Sequence, residues 1–523
     1  MLFNPPRNSP RLMFAVLLTI LSLCFVFQWQ KDLSYSISRR LYSEIGEIRD
    51  PKARFLSFLP RLVQHQPSNG SLKLPEGYLL VRIEEINEES ERIDHLTLSD
   101  DDFNKSSTAH SEVVKLLPEY DDLITYQKGS RGIITVGGGP YTPALLVSIR
   151  MLRRTNCTLP IEVFVPDPSD YDPYSCDIVL RSLNAKCIIL PQFENTTIAR
   201  YQYKSVALLF TTFEDTLFLD ADNFPVVDPT SWFDSQAYKT TGMITWPDFW
   251  ANTASPIYYR LINQTIPSVK SQHASTEAGS ILISRSKHNR TLLLAFYYNL
   301  FGPGFYYELL AQNGIGGEGD KETWVAAANA LGASYYQVRE RNHALLTLEG
   351  SKEEELDQII SMVQYDFVKD WELSMTSVTK EGSMELEVPL IPTSRNRQDA
   401  QIVFLHCNRV KMNPSEVLAR LDDFHGRQRM WGSRGKTVER FGRDIEAEVW
   451  EEVIEVACRY GETLVGVDDK ERVCEDLRRF WWHVLMEEEL EDRILSSKKG
   501  DSGEKVDIWH PRIGHEDGVR RSG

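Results

Sequence analysis

Leu217-Phe218-Leu219-Asp220-Ala221-Asp222-Asn223 decides how this chain is read. An apolar, strand-like run ends directly in two carboxylates separated by one residue. Side chains two apart on an extended strand point to the same side, so Asp220 and Asp222 can both face one cation. Hard divalent ions such as Mg2+ and Mn2+ take oxygen ligands and often share them with phosphates. A metal in that position neutralises charge developing on a diphosphate leaving group. An Asp-x-Asp pair by itself usually marks only an exposed turn. The apolar strand ahead of it favours a metal site.

Working outward, short apolar runs recur at Ile133–Val136, Ile161–Val165, Cys187–Leu190, Met243–Thr245, Ile281–Ile283 and Ile402–Leu405. Helix-length segments such as Pro143–Leu152, Tyr203–Phe210 and Thr291–Asn299 lie between several of them. Strands alternating with helices predict an α/β domain with a mainly parallel sheet covered on both faces. Ligands of such sheets bind beyond the carboxyl ends of the strands. One such end carries Gly137-Gly138-Gly139-Pro140-Tyr141. Glycines let a backbone approach a ligand closely and a helix N-terminus attracts anions. The run is therefore a nucleoside floor, with Tyr141 available to stack on a base, or else a plain tight turn. It matches neither a Walker loop nor a GxGxxG fingerprint. Trp246-Pro247-Asp248-Phe249-Trp250 joins aromatic rings to one carboxylate, the composition of a sugar-binding wall or of a buried aromatic cluster; Asp248 is harder to place in a core. Trp246, Asp248 and Trp250 are the candidate acceptor residues.

The 523 residues, 42% apolar, suffice for a large core. A net charge of −17 leaves no basic face for a nucleic-acid partner. Leu12 to Phe27 is an apolar run with Arg7 and Arg11 before it and Lys31 after. It reads as an uncleaved signal anchor over residues 12–29, because no small-x-small cleavage site follows. The arginine pair places residues 1–11 in the cytoplasm and the rest of the chain in a lumen; the short span suits an early secretory membrane. Six Asn-x-Ser/Thr sequons, at Asn69, Asn104, Asn156, Asn195, Asn263 and Asn289, agree. Outside the anchor, Cys157, Cys176, Cys187, Cys407, Cys458 and Cys474 can form disulfides in an oxidising lumen. The expected organisation is a lumenal stem over 30–127, possessing one candidate strand at Tyr78–Ile86, then a catalytic domain over 128–425. A helical extension over 426–497 and a disordered tail over 498–523 follow. Helical spacing in that extension, through Ile445, Val449, Trp450 and Val453 and again through Val473, Leu477, Phe480 and Trp481, predicts two helices. A Cys458–Cys474 hairpin disulfide would join their facing ends.

The stretch from about Arg131 to Val338 resembles the fungal alpha-mannosyltransferases that extend and branch cell-wall mannan, in particular the alpha-1,2 branching group. The matching pieces are GGGPYTPALLVSIRMLRRTNCTLPIEVFVPD from Gly137, YQYKSVALL from Tyr201, LFLDADNFPVVDP from Leu217, ITWPDFW from Ile244, STEAGSILISRSKH from Ser275 and GGEGDKETWVAAA from Gly316. Their order is kept over roughly two hundred residues. Ala278 departs from the serine expected there. The resemblance implies a GT-A fold, a GDP-mannose donor, Mn2+ or another divalent cation, a mannose-containing glycan acceptor and retention of configuration. It also implies a Golgi enzyme of type II topology.

By the same analogy His406, at the end of the strand Ile402–Leu405, is the third metal ligand, and Lys411 lies on the diphosphate. Lys204 either touches the donor or is a surface lysine. Glu277 and Asp320 are the candidate catalytic carboxylates: Asp320, at a helix start, beside the donor sugar, and Glu277 orienting donor or acceptor. Front-face attack is the favoured route. Rival readings are an alpha-1,3-mannosyl- or galactosyltransferase on the same scaffold, and a non-catalytic subunit of a Golgi glycosylation complex. Intact Asp220, Asp222, Glu277 and Asp320 argue against the last.

Overall fold

Each strand-length apolar run from Gln127 onward becomes a strand. The computed structural model describes residues 51–68, 72, 92, 94–193, 196–267, 274–312, 320–346, 359–381, 400–423, 429–461, 464 and 470–486. β1 (Gln127–Val136), β2 (Ile161–Val165), β3 (Ala185–Ile189), β4 (Phe213–Leu219), β6 (Met243–Ala251), β7 (Ala274–Ser284) and β8 (Tyr336–Gln337) form one sheet in the order β3-β2-β1-β4-β7-β6-β8. β7 pairs antiparallel with both neighbours, while the other pairings are parallel. The sheet is thus mainly parallel, as expected. β2 is buried at every position, because helices cover both faces and leave no side for polar alternation. The helix Thr142–Arg154 opens with Pro143 in its first turn and buries Leu145, Leu146, Ile149 and Leu152.

A second, four-stranded sheet was not read from the sequence. It runs β5-β11-β10-β9, where β5 is Asn223–Pro225, β9 is His343–Leu346, β10 is Ile359–Tyr365 and β11 is Ile402–His406. β5 starts directly after Asp222 and pairs antiparallel with β11, His406 opposite Asn223 and Leu405 opposite Phe224. An aromatic knot of Trp232, Trp246, Phe367 and Phe404 fills the space between the sheets, with Trp246 and Phe404 ring centroids 4.9 Å apart.

The chain divides into two units, Met1–Gln64 and His65–Gly523. Within the first, the helix Pro51–Gln64 is described; the expected anchor over 12–29 lies outside the described residues, and among those described no helix is long and apolar enough to cross a membrane. The candidate strand Tyr78–Ile86 and the tail over 498–523 also lie outside them. The stem boundary at 127 needs correction. Ser99 caps a helix over Asp100–Leu116, which buries Ala109, His110, Val113 and Leu116. His110 Nε2 lies 2.8 Å from the Tyr298 hydroxyl, so this segment packs on the catalytic fold. Its polar composition hid the helix because only one face is buried.

The C-terminal helices Ile445–Glu455 and Lys470–Phe480 form and stack Trp450 on Phe480 at 4.4 Å. Cys458–Cys474 is the expected hairpin disulfide, and Cys176–Cys187 is a second. Cys157 and Cys407 are buried free thiols, so four, not six, of the described cysteines are bridged.

Arg285, following β7, braces the strand that carries the Asp-x-Asp pair. It is fully buried and donates to the carbonyls of Thr211 (2.7 Å), Phe213 (2.6 Å), Leu209 (2.9 Å) and Thr125 (3.2 Å). Burial depresses its pKa to about 9. Leaving a buried polar group without a partner costs about 1–3 kcal/mol. Arg285→Leu should therefore lower stability by roughly 3 kcal/mol or more, read as a drop in urea midpoint at unchanged slope.

Candidate active site

The two carboxylates meet differently from the strand reading. β4 ends at Leu219, and Asp220 to Asn223 form a turn closed by the Asn223 N–H on the Asp220 carbonyl at 3.0 Å. Turn geometry, not strand alternation, brings the side chains together. The turn is fixed to β7: the Asp220 N–H and Asn223 Nδ2 both donate to the Gly279 carbonyl, at 2.9 and 3.0 Å. β5 then aligns with β11, and the ladder continues through the Cys407 N–H on the Asp222 carbonyl at 2.9 Å. That pairing delivers His406. Ligand atoms of Asp220, Asp222 and His406 all lie within 4.8 Å of one another. Two carboxylates and an imidazole at one point suit a divalent cation of the Mn2+ or Mg2+ type.

Charge is interleaved around this point. His406 Nε2 lies 3.3 Å from Asp222 Oδ1, and Nδ1 lies 3.6 Å from Glu277 Oε1. Gly279 makes room for this: a Cβ there would sit 2.7 Å from the His406 ring and 2.9 Å from both Glu277 oxygens. Burial disfavours a charged imidazole, yet the Glu277 and Asp222 carboxylates outweigh it and hold the His406 pKa at about 10. Lys204 is no surface lysine. Its Nζ bridges Asp220 (3.0 Å) and Asp320 (3.4 Å). Lys411 pairs with Asp222 from the more exposed side. Asp222 is pushed down: burial opposes ionisation, and the His406 and Lys411 charges overcome it. Asp320 is pushed up to about 6, by burial first, against the pull of Lys204. Glu277 Oε2 is buried without a hydrogen bond, while the buried Asp320 Oδ2 faces the Lys204 ammonium at 3.4 Å.

The other candidates fall on either side of this centre. Gly137, Gly138 and Gly139 cap β1, and Tyr141 stands 62% exposed beyond them. Asp248 on β6 is buried and ion-paired with Lys321 at 2.7 Å. Lys321 was missed, although it directly follows Asp320; no spacing rule links it to Asp248, which lies on another element. Trp250 is half-buried near the end of β6. Trp246 is not a wall residue. It is fully buried in the aromatic knot and its indole N–H donates to the Tyr365 carbonyl at 2.9 Å. A register shift in the β6–β7 pairing between Thr245 and Trp246 breaks simple alternation there, so sequence spacing could not sort Trp246 from Asp248.

A mannosyltransferase family model matches residues 130–274 and 269–366. The alpha-1,2-mannosyltransferase MNN24 of Candida albicans is 34% identical over 330 residues, 55% of this chain and 46% of that protein. The alpha-1,2-mannosyltransferase MNN2 of Saccharomyces cerevisiae is 30% identical over 453 residues, 72% of this chain and 74% of that protein. The match thus spans under half the length of the first relative and about three quarters of the second. Among solved structures, the glycosyltransferase GlyE of Streptococcus pneumoniae is 17% identical over 40% of this chain and 45% of that one, with a TM-score of 0.26; a superposition that partial bears on neither fold nor chemistry. The sequence relationship does: this chain belongs to the family of fungal alpha-1,2-mannosyltransferases that MNN2 represents.

Proposed function

We propose that this chain transfers mannose from GDP-mannose to a mannose residue of a glycan with retention, forming an alpha-1,2 linkage, on a GT-A scaffold. The observation that carries the reading is the meeting of Asp220, Asp222 and His406 beside two further buried carboxylates, Glu277 with one oxygen to spare and Asp320 held by Lys204. Family membership supports mannose, and the sequence supports a Golgi enzyme held by a signal anchor with its catalytic domain in the lumen. Asp220, Asp222 and His406 would hold a divalent cation, Mn2+ foremost, which when bound neutralises the charge developing on the leaving diphosphate.

The protein's own residues do the rest. Lys411, 39% exposed, supplies a donor for the diphosphate from the open side. Lys204 ties Asp220 to Asp320, so the metal-side and sugar-side carboxylates are held in one frame. Glu277 offers its spare oxygen to a hydroxyl of the donor mannose, and Asp320, held in place by Lys204, stabilises positive charge at the anomeric carbon. Asp248 and Trp250 form the acceptor side. In front-face attack the anomeric carbon loses its bond to the phosphate oxygen and gains one to the acceptor oxygen on the same face. The acceptor proton passes to the leaving phosphate.

Incubation with labelled GDP-mannose and short mannosides, with linkage mapping of the product, tests the assignment; competition by UDP-galactose or UDP-glucose in place of GDP-mannose would redirect it to the galactosyl or glucosyl class. Asp220→Asn or Asp222→Asn should cut turnover by about 10²–10³ while leaving unfolding cooperative. Full activity in EDTA-stripped wild-type protein would remove the metal from the mechanism. Asp320→Asn should lower turnover steeply with little change in donor affinity, and mass spectrometry should find no mannose bonded to Asp320 or Glu277. For topology, Asn156 is exposed just past the helix Thr142–Arg154. Endoglycosidase treatment of protein from secretory cells should raise its gel mobility, and Asn156→Gln should remove one increment of the shift.

A further inference from the structure

The sheet order spreads the substrate across neighbouring strands. β4 carries the Asp-x-Asp turn, and β7 and β6 carry Glu277 and Asp248 on one side of it. On the other side lie β1 and β2, which leaves their carboxyl ends for the nucleoside of a nucleotide-sugar donor. The glycine run there has a specific neighbour. Gly138 and Gly139 adopt φ of 121° and 51°, and a Cβ on Gly139 would sit 2.6 Å from Asp170 Oδ1. The Asp170 carboxylate therefore occupies the space a side chain at 139 would fill.

Asp170 ends the short turn Pro168–Asp170 that follows β2. The other carboxylate of this turn, Asp167, is used locally: it accepts from the Ser169 N–H at 2.8 Å and hydroxyl at 2.7 Å. No described residue donates a hydrogen bond to the Asp170 carboxylate. Tyr141, 62% exposed, presents its ring from the same glycine loop. A carboxylate without a hydrogen-bond donor among the described residues thus lies against the Gly139 backbone, two residues before the exposed Tyr141.

We propose that Asp170 reads the base of the donor: its two oxygens accept the N1–H and the 2-amino group of a guanine stacked on Tyr141, and so select a guanosine diphosphate donor. This rests on the nucleotide-sugar reading above. Guanine places two donors side by side on one edge, the match for a bidentate carboxylate. Uracil presents one N–H between two carbonyl oxygens, and adenine sets a ring acceptor beside its amino group. Either leaves a carboxylate oxygen facing an acceptor, and a site built for donors rejects such partners strongly.

Calorimetry with Mn2+ present tests this with GDP, inosine diphosphate (no 2-amino group), xanthosine diphosphate (a carbonyl in its place) and UDP. Wild-type protein should prefer GDP to inosine diphosphate by about tenfold or more, and to UDP by a wider margin. In Asp170→Ala, GDP and inosine diphosphate should bind alike. Asp170→Asn should gain affinity for xanthosine diphosphate, since the amide can donate to the new carbonyl while accepting N1–H. That gain also shows the variant to be folded. Wild-type GDP preference that persists unchanged in Asp170→Ala, with no xanthosine gain in Asp170→Asn, overturns the assignment and leaves the guanosine-donor reading standing. Wild-type preference for UDP over GDP overturns that reading, and Asp170's role with it.

Discussion

Four carboxylates, Asp220, Asp222, Glu277 and Asp320, are buried or half-buried at one end of a sheet, and the rest of the site follows from keeping them there. Two like charges roughly 4 Å apart repel by about 4 kcal/mol at an effective dielectric of about 20. Isolated buried carboxylates would protonate instead. Here Lys204 lies between Asp220 and Asp320, and His406 between Asp222 and Glu277. Lys411 closes the open side. Lys204 and His406 each serve two carboxylates, so loss of either unbalances more than one partner.

Backbone pairing, rather than side-chain packing, sets the precision of the site. The Gly279 carbonyl takes two donors from the Asp-x-Asp turn, and its missing side chain admits both His406 and Glu277. β5 is three residues long, yet it fixes the register between Asp222 and His406 across nearly two hundred residues of chain. A one-residue slip in that pairing would turn His406 to the other face of its sheet. The aromatic knot of Trp232, Trp246, Phe367 and Phe404 holds the two sheets together behind it.

A mainly parallel sheet covered by helices could be read before folding, because apolar runs of strand length alternate with helical ones; six of its strands were among those runs, while β8 was too short to show and the run Ile402–Leu405 went to the second sheet. Asp220, Asp222 and Asp320 could be named as well, since they follow a strand or open a helix in a stretch resembling one family; Glu277, inside β7, was named from that same stretch, and His406 only by analogy at the end of a later strand. The Cys458–Cys474 bridge followed from two helices whose facing ends carry the cysteines. The helix Asp100–Leu116 was read as stem, because a helix with one buried face amid acidic residues looks like solvated chain. Trp246 was placed on the sugar wall because a strand with a register shift has no dependable alternation.

What the sequence alone determined is the longer apolar strands, several of the helices between them and the carboxylates that follow them, since those depend on local periodicity and on residues adjacent in the chain. Tertiary structure decided which of those residues meet. Lys204 becomes the bridge between Asp220 and Asp320, Lys321 the partner of Asp248, and Asp170 the neighbour of Gly139, in each case across elements far apart in the chain. Spacing along a strand or helix carries no information about such pairings. They are fixed by the sheet order β3-β2-β1-β4-β7-β6-β8 and by the register of β5 on β11, both of which are set by burial of the whole core.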